Sequence, residues 1–449
     1  MPSKIIYSQR VFTNGTLRES SVYIQDGIIA DVFAGKMQLP DVEFVDYGNH
    51  VVFPGVVDAH VHINEPGRTE WEGFDSATKA AAKGGITTLV DMPLNSSPVT
   101  IDATSFDQKI KASHNQRHVH CGFWGGLVPS NADDISPLIQ KGVLGLKAFL
   151  TPSGIDEFPH LNKEELKHGL AQLKGTGLPL LAHCELDSEH EGINAFKNNP
   201  YSYEHFLRSR PKSWENNAIR QMIDLCREFK TPIHIVHLSS AEVLPDILRA
   251  KEAGLPLTVE TCPHYLFFNA EHIPDNDTRY KCTPPIRERE NNEQLWQALE
   301  SGLIDFVASD HSPAPETIKE VKSGNLWEAW GGIVGGQCLL TATWTKAKQR
   351  GISIELLAQW LCENPANFIG FNKSKGKIEK GYDADIIVWD PEIKYEMRKE
   401  SLCCKNTCSP YVGEILFGEI VSTYCKGISV VNNGEFDEMG KGDVLLYTT

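Results

Sequence analysis

His60 and His62 sit at the end of the apolar run Val56–Ile63. On a strand, side chains two apart point to the same side, so both imidazoles can face one metal ion. Alone, such a pair is as often structural as functional. The positions of the other polar residues tip the balance. Lys147 lies inside the run Val143–Leu150, His183 follows Leu180-Leu181-Ala182, His237 follows Ile235-Val236, and Asp310 follows Phe306–Ser309. Imidazoles, one amine and one carboxylate thus gather at the ends of separate apolar runs, a donor set suited to divalent metals.

Lys147 is the odd member. An ammonium beside divalent cations is repelled, and burial also disfavours its charge. A neutral amine can take up carbon dioxide and become a carbamate, an anionic ligand able to bridge two metals. A buried salt bridge is the competing reading. Two divalent cations would not be fully neutralised by the carbamate, Asp310 and a hydroxide, which leaves a centre suited to an anionic transition state. His234 is three residues from His237 and should point to the opposite face, into packing, and His311 should likewise point away from Asp310. His264, in Thr261-Cys262-Pro263-His264-Tyr265, follows a strand and can reach the pocket edge to touch substrate.

Elements must hold these residues in place. Eight short apolar runs lie near Val56–Ile63, Thr87–Met92, Val119–Trp124, Val143–Leu150, Leu178–Cys184, Ile233–Leu238, Leu257–Thr261 and Asp305–Ser309. Helical patterns separate them, such as Glu70–Lys83, Lys163–Leu173 and Ala241–Ala253. Repeated strand–helix units predict an α/β fold, a TIM-type (β/α)8 barrel with its site at the C-terminal strand ends. Inserts around 187–210 and 313–325 follow the fifth and eighth runs and are placed to close over that face. The chain ends read differently. Asn14-Gly15, Asp26-Gly27 and Asn433-Gly434 separate alternating apolar segments, as in β-hairpins. One small β-sandwich built from both ends is expected, with domains at 1–53, 54–370 and 371–449.

The 449 residues carry a net charge of −16, which argues against nucleic-acid or anionic-membrane partners. No apolar run reaches the length of a membrane span, and no signal-peptide pattern opens the sequence. The eleven cysteines lack paired zinc spacing. Cys403, Cys404 and Cys408 cluster but read as free thiols of a reducing cytosol.

The run Pro54-Gly55-Val56-Val57-Asp58-Ala59-His60-Val61-His62, the Lys147 run, the two later histidines and Ser309-Asp310-His311-Ser312-Pro313 resemble the cyclic amidohydrolases. That family includes dihydroorotases, dihydropyrimidinases and allantoinases. The likeness extends to Gly84-Gly85-Ile86-Thr87-Thr88 and Gly381-Tyr382-Asp383-Ala384-Asp385-Ile386. Asn64–Phe74, Asp91–Ser96 and Phe123–Pro129 are similar to the allantoinase branch in particular. The resemblance implies two divalent metal ions, zinc foremost, with cobalt, nickel, manganese and iron as alternatives. It implies His60, His62 and Asp310 on one metal, His183 and His237 on the other, and carboxylated Lys147 as the bridge. It further implies ring opening of allantoin to allantoate by a hydroxide between the metals, with Asp310 as general base and then acid. A cytosolic homotetramer is the implied assembly. Dihydroorotases carry an arginine where this chain has Asn64, which supplies no charge for a substrate carboxylate. Asn64 and Asn95 suit an amide-rich neutral substrate instead, although Asn95 could simply cap the next helix. Dihydropyrimidinase or hydantoinase activity is the runner-up, and a metal-free scaffold of the same fold is the reading from another class.

Overall fold

A computed structural model describes residues 3–437 and 442–448 of the chain. The N-terminal segment forms β1 (Lys4–Thr13), β2 (Thr16–Gln25), β3 (Ile28–Ala34), β4 (Glu43–Asp46) and β5 (Val51–Pro54). Both hairpin turns behave as their sequences demand. Asn14 and Gly15 have φ of 49° and 76°, Asp26 and Gly27 of 52° and 81°, as a two-residue I′ turn requires.

Nine further strand segments occupy the middle of the chain. They are β6 (Val56–Val61), β7 (Ile86–Asp91), β8 (His120–Phe123), β9 (Gly125–Gly126), β10 (Leu146–Phe149), β11 (Leu180–His183), β12 (Ile233–Ile235), β13 (Leu257–Thr261) and β14 (Phe306–Val307). β9 continues β8 beyond Trp124, so each of the eight expected runs carries one strand position. β6, β7 and β8 pair in parallel, and so do β9 through β14 in sequence order. Beside the last strand, Val61 bridges His311 in parallel, and the His62 N–H donates to the His311 carbonyl at 2.8 Å.

Alternation along these strands sorts their side chains into two clusters. Val57, Ala59, Val90, Trp124, Leu181, Val236 and Phe306 pack with one another. Val56, Val61, Leu89, Leu146, Leu180, Ile235 and Val259 instead meet helix residues such as Phe74, Leu166, Ile219 and Leu295. Buried on both faces, the strands read as continuous apolar runs. Among the helices, Lys163–Leu173 has the expected bounds, because Asn162 and Glu165 form a reciprocal cap. The helix expected from Glu70 begins at Phe74, after a turn in which Gly73 adopts φ 109°. The stretch from Ala241 opens as a 3-10 turn before helix Leu244–Glu252.

The chain then returns through β15 (Ile386–Glu396), β16 (Ile415–Cys425), β17 (Ile428–Asn432) and β18 (Glu435–Phe436). β15 pairs antiparallel with β5, Ile386 opposite Pro54 and Trp389 opposite Val51. Both ends therefore join in a single nine-stranded sheet, in the order β18-β17-β16-β15-β5-β1-β2-β3 with β4 beside β1. Ile6, Val22, Ile24, Val52, Ile386 and Val388 form its own core. Among the described residues, no helix is long and apolar enough to cross a membrane.

Candidate metal centre

All six sequence-nominated ligands line one pocket, together with Asn95. His60 and His62 project from the end of β6 with ring centroids 5.5 Å apart. Their Nε2 atoms lie 3.1 and 3.4 Å from Asp310 Oδ1, which follows β14. His183 ends β11 and His237 follows β12; His183 Nδ1 and His237 Nε2 are 3.0 Å apart. Lys147, on β10, is 1% exposed, and its Nζ has no hydrogen-bond partner. His237 and Asp310 hold φ of 39° and 46°, a left-handed backbone that is costly for residues with a Cβ. Such strain persists only where surrounding packing fixes it, and it clusters at functional sites.

A second layer fixes the rings. Glu260, on β13 and fully buried, places Oε1 2.5 Å from His60 Nδ1 and accepts the His237 backbone N–H at 3.2 Å. Its Oε2 lies 3.1 Å from His234 Nε2. His183 Nε2 meets Glu185 Oε2 at 2.9 Å, and Arg210 donates twice to the same carboxylate. Asp58 accepts the backbone N–H groups of His60 and Ser309, tying β6 to the segment carrying Asp310. Asp91, paired with buried Lys109 at 2.5 Å, accepts the Ile63 N–H directly after His62.

Electrostatics favour metal-binding protonation states. Burial lowers the pKa of His62, His183 and His237, which eases the proton loss that metal binding requires. Burial would raise the Asp310 pKa, but the adjacent His60, His62 and His237 outweigh it and hold the carboxyl well below its usual range. Glu260 and Glu185 are likewise held at about 2 against burial, by His60 with His234 and by Arg210 with His183. Desolvation brings the Lys147 amine down to about 8.

These residues fit a metal centre. His60, His62 and Asp310 offer ligand atoms that all lie within 4.8 Å of one another. His237 Nδ1 and Lys147 Nζ are buried without partners, an expensive arrangement for polar atoms that serve no ligand. Two other clusters fit less well. In the cluster of His120, Asp385 and Cys425, the carboxylate is already taken by the Lys375 ammonium at 2.6 Å and His120 Nε2 at 3.1 Å. In Cys262, His264 and Asp310, burial pushes the thiol pKa well up, away from the thiolate that binds metal.

The remaining sequence candidates fall in different places. Asn95 Nδ2 lies 3.4 Å from His62 Nδ1 and its Oδ1 is buried without a partner. It caps no helix; Asp102 caps the next one, Ala103–Ser113. Asn64 is buried and donates to the Pro313 carbonyl at 3.2 Å, outside the residues that line the pocket. His264 is 1% exposed with both ring nitrogens unpartnered, and burial lowers its pKa to about 4. His311 turns away as expected, toward Glu72 and the Gly335 and Gly336 amides. His234 goes into packing as expected, against Phe306 and Phe368, but it also joins the centre through Glu260, which was not expected. His234 stands within regular strand β12, whereas His237 lies beyond its end with a positive φ, so strand alternation does not relate the two. The thiols of Cys403 and Cys404 spend themselves on the Ser401 and Asn406 carbonyls.

Sequence reasoning missed Glu260, Glu185, Asp58 and the Trp330-Gly331-Gly332 segment that lines the pocket. The signal for the first three was present, since each is an acid inside or beside an apolar run. Trp330 stacks edge-on against Trp71 at 5.0 Å, a pairing of two loops that no local pattern announces.

Residues 51–430 match the Amidohydrolase family. The chain is 43% identical to a protein named allantoinase from Arabidopsis thaliana, over 99% of this chain and 91% of that one. It is 39% identical to an allantoinase of Saccharomyces cerevisiae, over 96% of each. Among solved structures, it is similar to an L-hydantoinase (dihydropyrimidinase) from Arthrobacter aurescens, with TM-score 0.93 and 28% identity, over 99% of this chain and 100% of the other.

Proposed function

We propose that this chain, which belongs to the amidohydrolase family, opens the hydantoin ring of allantoin to give allantoate. The observation that carries the reading is the convergence of His60, His62, Lys147, His183, His237 and Asp310 on one pocket. Allantoinases about 40% identical over nearly the whole chain support the substrate. His60, His62 and Asp310 would hold one divalent ion, and His183 and His237 a second, with carboxylated Lys147 between them. Zinc is the first expectation, because imidazole and carboxylate ligands suit it. Metals bound there would acidify water and polarise the ring carbonyl.

The chain's own residues handle the protons. Asp310 turns Oδ1 toward His60 and His62, which leaves its other oxygen to take the proton of the attacking water. That proton goes to the departing ring nitrogen, which leaves poorly as an anion. The water oxygen ends in the new carboxylate, and the ring C–N bond is the one broken. Asn95 Oδ1 and the free nitrogens of His264 are unpaired groups suited to the amide-rich substrate. Asn64 would contribute through its buried Oδ1, since its amide nitrogen is already engaged.

The two parallel sheets would close as one (β/α)8 barrel over 54–370, a reading supported by the Val61–His311 bridge. Segments 1–53 and 371–449 would then fold together as the β-sandwich, supported by the β5–β15 pairing. We also expect a homotetramer, and a cytosolic setting suited to eleven free thiols.

The test is a side-by-side assay of allantoin, hydantoin, dihydrouracil and dihydroorotate with metal-loaded protein. Allantoin should lead the neutral rings by about tenfold or more in kcat/KM, roughly 1.4 kcal/mol. Dihydroorotate should be inert, because Asn64 stands where dihydroorotases carry the arginine that meets its carboxylate. Faster turnover of dihydrouracil than of allantoin would transfer the assignment to dihydropyrimidinase, and loss of all turnover with chelator is required in either case.

A further inference from the structure

Outside the metal pocket lies a second chamber that shares Ser153, Thr283, Trp330 and Gly331 with it. Its walls include Trp214, Trp327 and Phe206, and its charged residues are Arg210, Lys281 and Glu328. These charges are not evenly compensated. Arg210 is already paired with Glu185 through two hydrogen bonds of 3.0 and 2.5 Å. Lys281 has no carboxylate within ion-pair distance among the described residues. Its ammonium donates to the Trp327 carbonyl at 3.2 Å and to the Ala329 carbonyl, and lies 5.8 Å from the Phe206 ring.

Directly behind the chamber wall sits Lys319, only 2% exposed. Its three donors go to the carbonyls of Lys281, Trp330 and Gly332, at 2.9, 3.0 and 2.6 Å. It too has no carboxylate partner among the described residues. Burial, then Lys319 and Arg210, bring the Lys281 pKa down to about 7, with Glu328 opposing them. A cation held by carbonyl dipoles alone, beside other cations, is stabilised by an arriving anion.

We propose that this outer chamber is a carboxylate-binding station centred on Lys281, which receives the acid formed when the ring opens. The inference rests on the proposed ring-opening reaction, in which a neutral substrate leaves as an anion. The substrate gains nothing from the positive field as it enters. The product gains from it at once, since its new carboxylate can move outward through the residues that the two cavities share. The chamber thus gives the inner pocket a way to discriminate product from substrate by charge alone.

The probe is N-carbamoylglycine, the ring-opened acid of hydantoin, compared with its neutral amide. Both are titrated calorimetrically into metal-loaded wild-type, Lys281→Met and Lys281→Arg protein. Lys281→Met should weaken the acid by about fivefold or more and the amide by less than about twofold, and Lys281→Arg should keep most of the acid affinity. If Lys281→Met does not fold, Lys281→Gln is read in the same way. Acid binding by the charge-removing variant within about twofold of wild type would overturn the proposal, as would acid and amide weakening together. Because turnover is not read, a protein that leaves allantoin intact would defeat the proposed function without touching this result.

Discussion

Replacing Glu260 with glutamine removes one charge and leaves the side-chain shape nearly unchanged. Glu260 accepts from three groups: His60 Nδ1 at 2.5 Å, His234 Nε2 at 3.1 Å and the His237 N–H at 3.2 Å. With Nδ1 of His60 donating, its Nε2, the atom facing Asp310, presents a lone pair. A glutamine has one acceptor oxygen and one NH2 group, so one imidazole must meet a donor. Leaving a buried donor unpaired costs about 1–3 kcal/mol, and losing a partner of a ligating histidine costs about 10- to 100-fold in metal affinity or activity. The two estimates agree on about 1.4–2.7 kcal/mol. Competition against a graded chelator series measures the metal affinity directly, and thermal unfolding with and without metal checks the folded state. Glu260→Gln should lose metal at about tenfold lower chelator or less, and kcat should follow. A variant that keeps wild-type metal affinity would refute the idea that Glu260 sets the His60 tautomer.

Lys147→Ala should abolish turnover, because the buried amine that would carry the bridging carbamate is gone; short carboxylic acids added to the assay should restore part of it. An unmodified Lys147 amine in active, metal-loaded protein, read by mass spectrometry under native conditions, would exclude the carbamate. Asp385→Asn should destabilise the fold by about 3 kcal/mol, since it strips the buried Lys375 ammonium of its 2.6 Å partner while Asp383 remains at 2.9 Å. Lys375 and His120 overcome burial and hold the Asp385 pKa below its unfolded value of about 4, so this stabilisation is complete above that pH and fades as pH falls below it. Melting temperatures across acid pH should therefore converge for wild type and Asp385→Asn, and a gap that stays constant would contradict the assignment.

Why some of this was readable from residues alone is a matter of locality. Asp310 and Lys147 stand out because a charge inside an apolar run is rare unless it has a task. Glu260 carries the same mark, within Leu257–Thr261, yet its meaning depends on His60 two hundred positions earlier. The eight strand positions follow from apolar periodicity, whereas the exact strand lengths depend on where hydrogen bonding stops. His234 shows the limit of counting by twos: the strand ends at Ile235, and the positive φ of His237 turns that later histidine out of strand alternation, which no pattern encodes. Pairing of the two chain ends was suggested by the hairpin pattern they share and required β5 and β15 to be brought together. The Lys319 contacts with three carbonyls had no sequence signal at all, since only tertiary structure says which carbonyls a lysine can reach.

Gly55 is the one residue between β5 and β6, and a Cβ there would lie 2.0 Å from Thr87 Oγ1. The strand that ends in His60 and His62 is therefore a direct extension of a strand whose neighbour, β15, begins at Ile386. On the ribosome, β5 emerges long before that neighbour has been made. The sheet that anchors the first two histidines can be completed only once β15 is available, and such distant pairings form slowly. Metal capture is thus set to be a late event in the life of each molecule, and chains truncated before Ile386 should emerge with no stable binding site to fill.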